Sequence, residues 1–264
     1  MIRREMRPDG VALLVLDRPA ARNALSLAML EALREALRAT EAARCVVLAA
    51  EGPAFCAGHD LRELTAARAE ADGGSGVFAR TMALCAEVMQ AIVRHPAPVI
   101  AAVGGVATAA GCQIVASCDL AVASPGAKFC TPGVEIGLFC STPAVALARA
   151  LPRKQAMEML LTGRMVGAEE ALRLGLVNGI ADDARAGALT LAAGIAARSA
   201  VTIRLGKAGF LAQEGLPLAD AYAAASQVMV ENMLAADACE GIGAFLDKRA
   251  PRWAEDAAPK GADA

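Results

Sequence analysis

Two stretches of this chain carry residue types that do chemistry through the backbone. In the first, PAPVIAAVGGVATAAGCQIVASCDL at 96–120, the apolar run Val99–Val103 reads as a buried strand. Gly104-Gly105 break it, Thr108-Ala109-Ala110-Gly111 follow, and residues 112–118 read as a short helix. A strand, a turn of small residues and a helix start leave N–H groups unpaired at the helix N-terminus. Few side chains crowd that surface, so an anion or a developing oxyanion can sit there. A tight strand–helix turn with no ligand has the same appearance. The second stretch repeats the pattern. A buried strand at 45–48 leads into Gly52-Pro53-Ala54-Phe55-Cys56-Ala57-Gly58-His59-Asp60-Leu61, a small-residue loop entering a helix.

Side-chain chemistry is sparse by comparison. The chain has two histidines, His59 and His95, without metal-ligand spacing, so no metal site is expected. Eight cysteines are scattered without a CxxC pair and read as reduced, mostly buried thiols. MIRREMRPDG at the N-terminus has no signal-type apolar block after it, which together with the thiols points to the cytoplasm. A net charge of −2 gives no basic surface for nucleic acid. Residues 96–118 are uncharged and long enough to span a bilayer. Pro96, Pro98, Gly104, Gly105, Gly111 and Gln113 interrupt them, and they read as strand–turn–helix, not as a membrane segment.

The elements that must position these loops alternate. Val11–Leu16 is a strand, Asn23 or Ser26 caps the next helix, and Leu30, Leu33 and Leu37 mark that helix's buried face. Residues 62–75 read as exposed, and 78–94 as an amphipathic helix. Short strands follow at 120–123 and 128–130, then an irregular 133–143. Helices at 144–151, 156–161 and 168–174 come next, the last two ended by Gly163 and Gly175, and then a strand at 177–180 and a helix at 186–198. Everything beyond 200 is helical. Apolar residues make up 56 % and aromatics 3 %, so the core is aliphatic. Alternating strands and helices followed by helices alone imply an α/β core with a helical appendage.

Four motifs in order then resemble one family. DRPAARNAL at 17–25, AFCAGHDLREL at 54–64, PVIAAVGGVATAAGCQIVASCDL at 98–120 and EGIGAFLDKRAPRW at 240–253 are similar to signatures of the crotonase, or enoyl-CoA hydratase/isomerase, superfamily. The resemblance implies a ClpP-like spiral of repeated strand–strand–helix units over 1–199, holding an acyl-CoA site. It implies a C-terminal helical region, 200–264, that joins a homotrimer or a dimer of trimers. It also implies an acyl-CoA thioester ligand, with coenzyme A part of the substrate and no separate cofactor.

By motif position the thioester oxygen falls to the backbone N–H groups of His59 and Ala110, which act as an oxyanion hole. Many family members have glycine where this chain has Ala109 and Ala110. Alanine resists positive φ, so an ordinary backbone is expected here. The two glutamates that hydratases use fall on Gln113 and Gly133. Glutamine holds water but is no acid or base near neutral pH, and glycine has no side chain. Glu135, two residues past Gly133, points the same way if the segment is extended, and so is a replacement acid–base group or an exposed loop carboxylate. Cys140 and Ser141 fall where other members carry a catalytic side chain; Ser141 alternatively caps a helix. His59's ring is a base or a bystander, Asp60 a helix cap, and Cys112 and Cys130 small core residues. Arg22, Ala24, Ala57, His59, Asp60, Leu61, Arg62, Val106, Ala110 and Leu138 match ligand-lining positions. Phe245 and Lys248 match residues that reach a neighbour's CoA. The implied reactions are hydration, or another crotonase chemistry (isomerase, thioesterase, decarboxylase), or weakly catalytic acyl-CoA binding.

Overall fold

The computed structural model describes residues 1–254. Its larger sheet has six strands in the order β1 (Ile2–Met6), β2 (Val11–Leu16), β3 (Cys45–Ala50), β5 (Val99–Val103), β7 (Leu120–Ala123) and β10 (Gly179–Ile180). β1 is antiparallel to β2 and the other neighbours are parallel. The runs VALLVL, CVVLAA and VIAAV are apolar throughout because this sheet is covered on both faces. Alternate residues go to opposite cores. Ala12, Leu14 and Leu16 face the main core with α1 (Leu27–Arg38), while Val11, Leu13 and Val15 face α8 (Ala184–Ala196). α8 offers Ala188, Ala192 and Ala196, a stripe of small residues that lets it lie close on the sheet.

A second sheet has the order β4 (Ala54–Cys56), β6 (Val106–Thr108), β8 (Lys128–Cys130) and β9 (Val166–Gly167). Each unit thus runs from a strand of the first sheet to a strand of the second and then to helix. β3–β4 lead to α2 (Leu61–Ala67) and α3 (Ser75–Val93), β5–β6 to α4 (Ala110–Ser117), and β7–β8 to α5 (Ser141–Ala150) and α6 (Arg153–Thr162). This is the expected spiral of strand–strand–helix units. α7 (Ala168–Leu174) ends at Gly175, and α9 (Ala200–Gln213), α10 (Leu218–Leu234) and α11 (Ala236–Leu246) form the C-terminal helical region. Positions 255–264 of the expected appendage lie outside the described residues.

Several expectations are corrected. β4 and β6 stand where loops are expected, because three residues carry no readable alternation and pair only with distant strands. Residues 96–118 fold as β5, β6 and α4. Among the described residues one helix, α3, is long and apolar enough to cross a membrane; here it buries Leu84, Cys85, Val88, Met89 and Ile92. Ser26, not Asn23, caps α1, accepting from Met29 N–H at 3.2 Å. Part of the expected exposed segment 62–75 is the helix α2. Ser141 does not cap α5: Cys140 holds that position, without a side-chain bond.

Candidate active site

The site forms where two strand ends of the second sheet deliver their loops to one place. After β4, Leu25 N–H donates to Gly58 O at 2.8 Å and Asp60 N–H to Leu25 O at 3.1 Å. This parallel bridge uses the groups on either side of His59, so His59's own N–H faces away from Leu25. After β6, Ala110 is the first residue of α4, where an N–H has no helical acceptor. Among the described residues neither the His59 nor the Ala110 N–H reaches an acceptor.

Glycines let the two loops touch. A Cβ at Gly111 would lie 2.2 Å from Cys56 O, and one at Gly105 2.3 Å from Pro53 O. Gly58 has φ +84°, and a Cβ there would lie 3.0 Å from Ala109 Cβ and 3.5 Å from Ala110 N. The first turn of α4 therefore rests directly on the β4 backbone and the loop that follows it.

The backbone at Ala109 is not ordinary. Its φ is 49° and ψ −116°, a region that favours glycine. The expectation from alanine's preference is overturned because the surroundings hold the turn at both ends. Ala109 N–H donates to Cys130 O at 2.9 Å, and Ala109 O accepts from Gln113 N–H at 3.0 Å. Ala110, by contrast, lies in the regular first turn of the helix.

The side chains nearby are few and weakly acidic or basic. Gln113 is 4 % exposed, and its Oε1 is buried without a hydrogen bond. Both ring nitrogens of His59 are likewise buried without one. Burial pushes the His59 pKa down, and the Leu25 carbonyl opposes this only in part, so the ring is neutral at neutral pH. The carbonyl lies near the ring without meeting the geometry of a hydrogen bond. Burial holds Cys112 far above the usual thiol range and Cys56 at about 12. Cys130 is pushed up to about 11 by burial and then by the charge of Glu135. All three remain thiols and act as small core residues, not nucleophiles.

Gly133 and Glu135 lie in a 3₁₀ turn, Pro132–Ile136, so the expected extended segment is corrected. Residues two apart do not share a direction in such a turn, and Glu135 is exposed. Gly133 is buried, and a Cβ there would lie 2.6 Å from Leu138 O and 2.9 Å from Cys140 Sγ. Gly133 itself brings no side chain to that spot.

Of the ligand-lining positions, Ala57 N–H donates to Arg22 O at 3.0 Å, which ties the Arg22–Ala24 loop to this site. Asp60 caps α2, accepting from Arg62 and Glu63 N–H, and it pairs with Arg18 at 3.3 Å. Arg22, Leu61, Arg62 and Leu138 are exposed, while Ala24 and Val106 are half-buried. Phe245 is 81 % exposed on α11, and Lys248 follows that helix. α11 packs on α9 and α10. One residue read as a helix cap has a different, supporting role. Asn23, buried at φ 54°, donates to Glu51 O and Ala54 O at 2.9 Å and accepts from Arg18 N–H at 2.8 Å. Its signal was an Asn amid small residues, a type that tolerates the left-handed region. Among the described residues no three His, Cys, Asp or Glu side chains gather as a metal site.

Comparison with known proteins finds relatives along nearly the whole chain. A family model described as enoyl-CoA hydratase/isomerase matches residues 6–256. A rat protein named enoyl-CoA hydratase domain-containing protein 3, mitochondrial, is 49 % identical over 250 residues, covering 93 % of this chain and 82 % of the relative. The crystal structure of human enoyl-CoA hydratase domain-containing protein 3 matches with TM-score 0.89 and 46 % identity, covering 96 % of this chain and 99 % of that one. An enoyl-CoA hydratase structure from Mycobacterium smegmatis matches with TM-score 0.89 and 48 % identity, over 96 % and 98 %. The expected cytoplasmic location is corrected by the mitochondrial name of the rat relative. Buried reduced thiols suit any reducing compartment and do not distinguish between them.

Proposed function

The chain belongs to the enoyl-CoA hydratase/isomerase family, and from that premise we propose that it binds an acyl-CoA thioester and stabilises negative charge on the thioester oxygen. The observation that carries this reading is the pair of backbone N–H groups, His59 and Ala110, without acceptors among the described residues, on two loops in contact. An enolate or tetrahedral intermediate places charge on that oxygen, and loss of one such fixed donor costs roughly 100-fold or more in rate. Arg22, Ala24, Ala57, Asp60, Leu61, Arg62, Val106 and Leu138 line the ligand in this reading. Exposed Leu218, Tyr222, Leu234, Phe245 and Leu246 on α10 and α11 support assembly of the 200–264 region into a homotrimer or dimer of trimers around the 1–199 core. Phe245 and Lys248 then reach a neighbouring subunit's ligand.

Hydration of an enoyl thioester is a poor fit. Water must be activated at one carbon and a proton delivered to the next, and Gln113 and Gly133 offer no acid or base. The reaction is therefore another that runs through a stabilised thioester oxyanion, such as isomerisation, thioester hydrolysis or decarboxylation. A weakly catalytic acyl-CoA-binding role is the second reading, favoured by the exposed position of Glu135. Calorimetry with butyryl- and crotonyl-CoA, followed by steady-state assays on enoyl-, 3-hydroxyacyl- and malonyl-type thioesters, tests both. Saturable binding with turnover of one class supports the enzyme, and binding without turnover supports the second reading. Absence of binding to every thioester at about millimolar concentration overturns both, since even weak specific sites fill there.

A further inference from the structure

The two donor N–H groups belong to the peptides Gly58–His59 and Ala109–Ala110, and the carbonyl of each peptide is tied down. Gly58 O accepts from Leu25 N–H at 2.8 Å, and Ala109 O accepts from Gln113 N–H at 3.0 Å. A trans peptide points its N–H opposite its C=O, so each of these bonds also aims a donor. The His59 N–H is turned away from Leu25, and the Ala110 N–H is turned out of the first turn of α4. What these two bonds leave open is the spacing and tilt between the two peptide planes.

One methyl group stands at that junction. A Cβ at Gly58 would lie 3.0 Å from Ala109 Cβ, so with a carbon–carbon bond of about 1.5 Å the Ala109 methyl is within about 4.5 Å of Gly58 Cα, which is contact distance. Gly58 Cα and Ala109 Cα are the atoms from which the two donor peptides start, so this methyl separates the donors at their roots. It is held there against alanine's preference, at φ 49° and ψ −116°. The ψ angle of Ala109 is the one that turns the Ala110 N–H, so the strained torsion is also the aiming torsion. Close approach of the loops does not require the methyl, because Gly58 and Gly111 already supply it. Glycine at 109 would take the same turn without strain. What alanine adds is a fixed spacer.

We propose that Ala109 is a positioning residue of this site: its methyl, wedged against Gly58, sets the spacing of the His59 and Ala110 N–H groups so that both donate to one thioester oxygen. This rests on the acyl-CoA reading above. With glycine at 109 the wedge is gone and ψ is free to relax, so the Ala110 N–H swings relative to that of His59. Hydrogen bonds weaken steeply as they leave line, and the bound carbonyl loses polarisation. The rest of the ligand keeps its contacts, so affinity changes little. Stability and carbonyl polarisation then move in opposite directions, which a merely structural role for Ala109 does not produce.

The experiment is the infrared spectrum of butyryl-CoA, ¹³C-labelled at the thioester carbon, bound to the protein, with calorimetric affinity and a thermal melt in parallel. Hydrogen bonds to a carbonyl lower its stretching frequency. Wild type is expected to bind and to shift the labelled band below that of free butyryl-CoA. Ala109→Gly should bind within about threefold of wild type, melt higher, and lose most of the band shift. Ala109→Ser keeps a Cβ at the contact and should retain the shift. A wild-type shift that persists in Ala109→Gly, or that is lost equally in Ala109→Ser, overturns the proposal alone. Wild type that binds without a shift overturns it together with the paired-donor site and leaves acyl-CoA binding standing; absence of binding removes that reading too. If Ala109→Gly fails to fold, Gly58→Ala takes its place, since its Cβ would crowd the same contact at 3.0 Å from Ala109 Cβ. A band in Gly58→Ala at the wild-type position then overturns the proposal, and a displaced band supports it.

Discussion

Replacing Ala109 by glycine should stabilise the protein, the reverse of glycine's usual effect. Ala109 sits at φ 49°, ψ −116°, and a non-glycine residue held in such a region costs on the order of 1–3 kcal/mol. Glycine adopts it freely but returns roughly 0.4–1 kcal/mol through the greater freedom of its unfolded chain. The methyl group of Ala109 packs half-buried against the main core, and its loss takes back about 0.5 kcal/mol, part of the ~0.8 for a fully buried carbon. Taking about 2 kcal/mol for the strain leaves a net gain of about 1 kcal/mol, or a melting temperature raised by roughly 2–4 °C in a chain of this size. Ala110, in the first helical turn next to it, is the internal control. Ala110→Gly relieves no strain and should lose about 1 kcal/mol. Calorimetric melting of both variants and wild type, at one pH and concentration, reads the difference. Opposite signs are expected. If Ala109→Gly melts below wild type by the same amount as Ala110→Gly, the turn is not strained and the reasoning fails.

Gly133→Glu should restore no hydratase activity and should lower stability by about 1–3 kcal/mol, the usual cost of overpacking. Its Cβ would stand 2.6 Å from Leu138 O, so a crotonyl-CoA assay together with a thermal melt checks both halves. Burial lowers the pKa of both His59 and His95 from their ordinary 6.5. The folded state therefore binds fewer protons than the unfolded one, and this stabilisation is complete above pH 6.5 and is lost as pH falls below it. Urea midpoints at about pH 7.5 and about pH 5.5 should show the decline, and His95→Gln should reduce it; equal midpoints would refute it. Lys207, whose side chain is 10 % exposed, donates to Asp119 at 2.7 Å and to Ala97 O at 3.2 Å, fixing α9 to the core. Lys207→Met should cost about 2 kcal/mol, less than the ~3–5 of a fully buried pair because Asp119 is partly solvated. A denaturant midpoint equal to that of wild type would show that the pair does not anchor α9.

What the sequence by itself determined lies wherever a long local pattern has one structural reading. VALLVL, CVVLAA and VIAAV are long enough to be strands buried on both faces. Gly163 and Gly175 end helices because only a residue without Cβ enters the left-handed turn cheaply. Four motifs in order carried the family, and with it the spiral. What the sequence could not decide depends on distant partners. β4 and β6 are three residues each and exist only because each finds the other across fifty positions of chain. Glu135 does not share the direction of Gly133, because Pro132–Ile136 coils where an extended segment was expected. At Ala109 local preference and tertiary restraint conflict, and restraint prevails. The hydrogen bonds to Cys130 O and from Gln113 N–H, with Gly58 and Gly111 in contact below, hold the turn in a form that alanine alone would refuse. Local propensity is worth tenths of a kcal/mol to about one per residue, and a packed backbone junction outweighs it. That junction, not any side chain in the two motifs, is what brings the loops carrying the His59 and Ala110 N–H groups into contact.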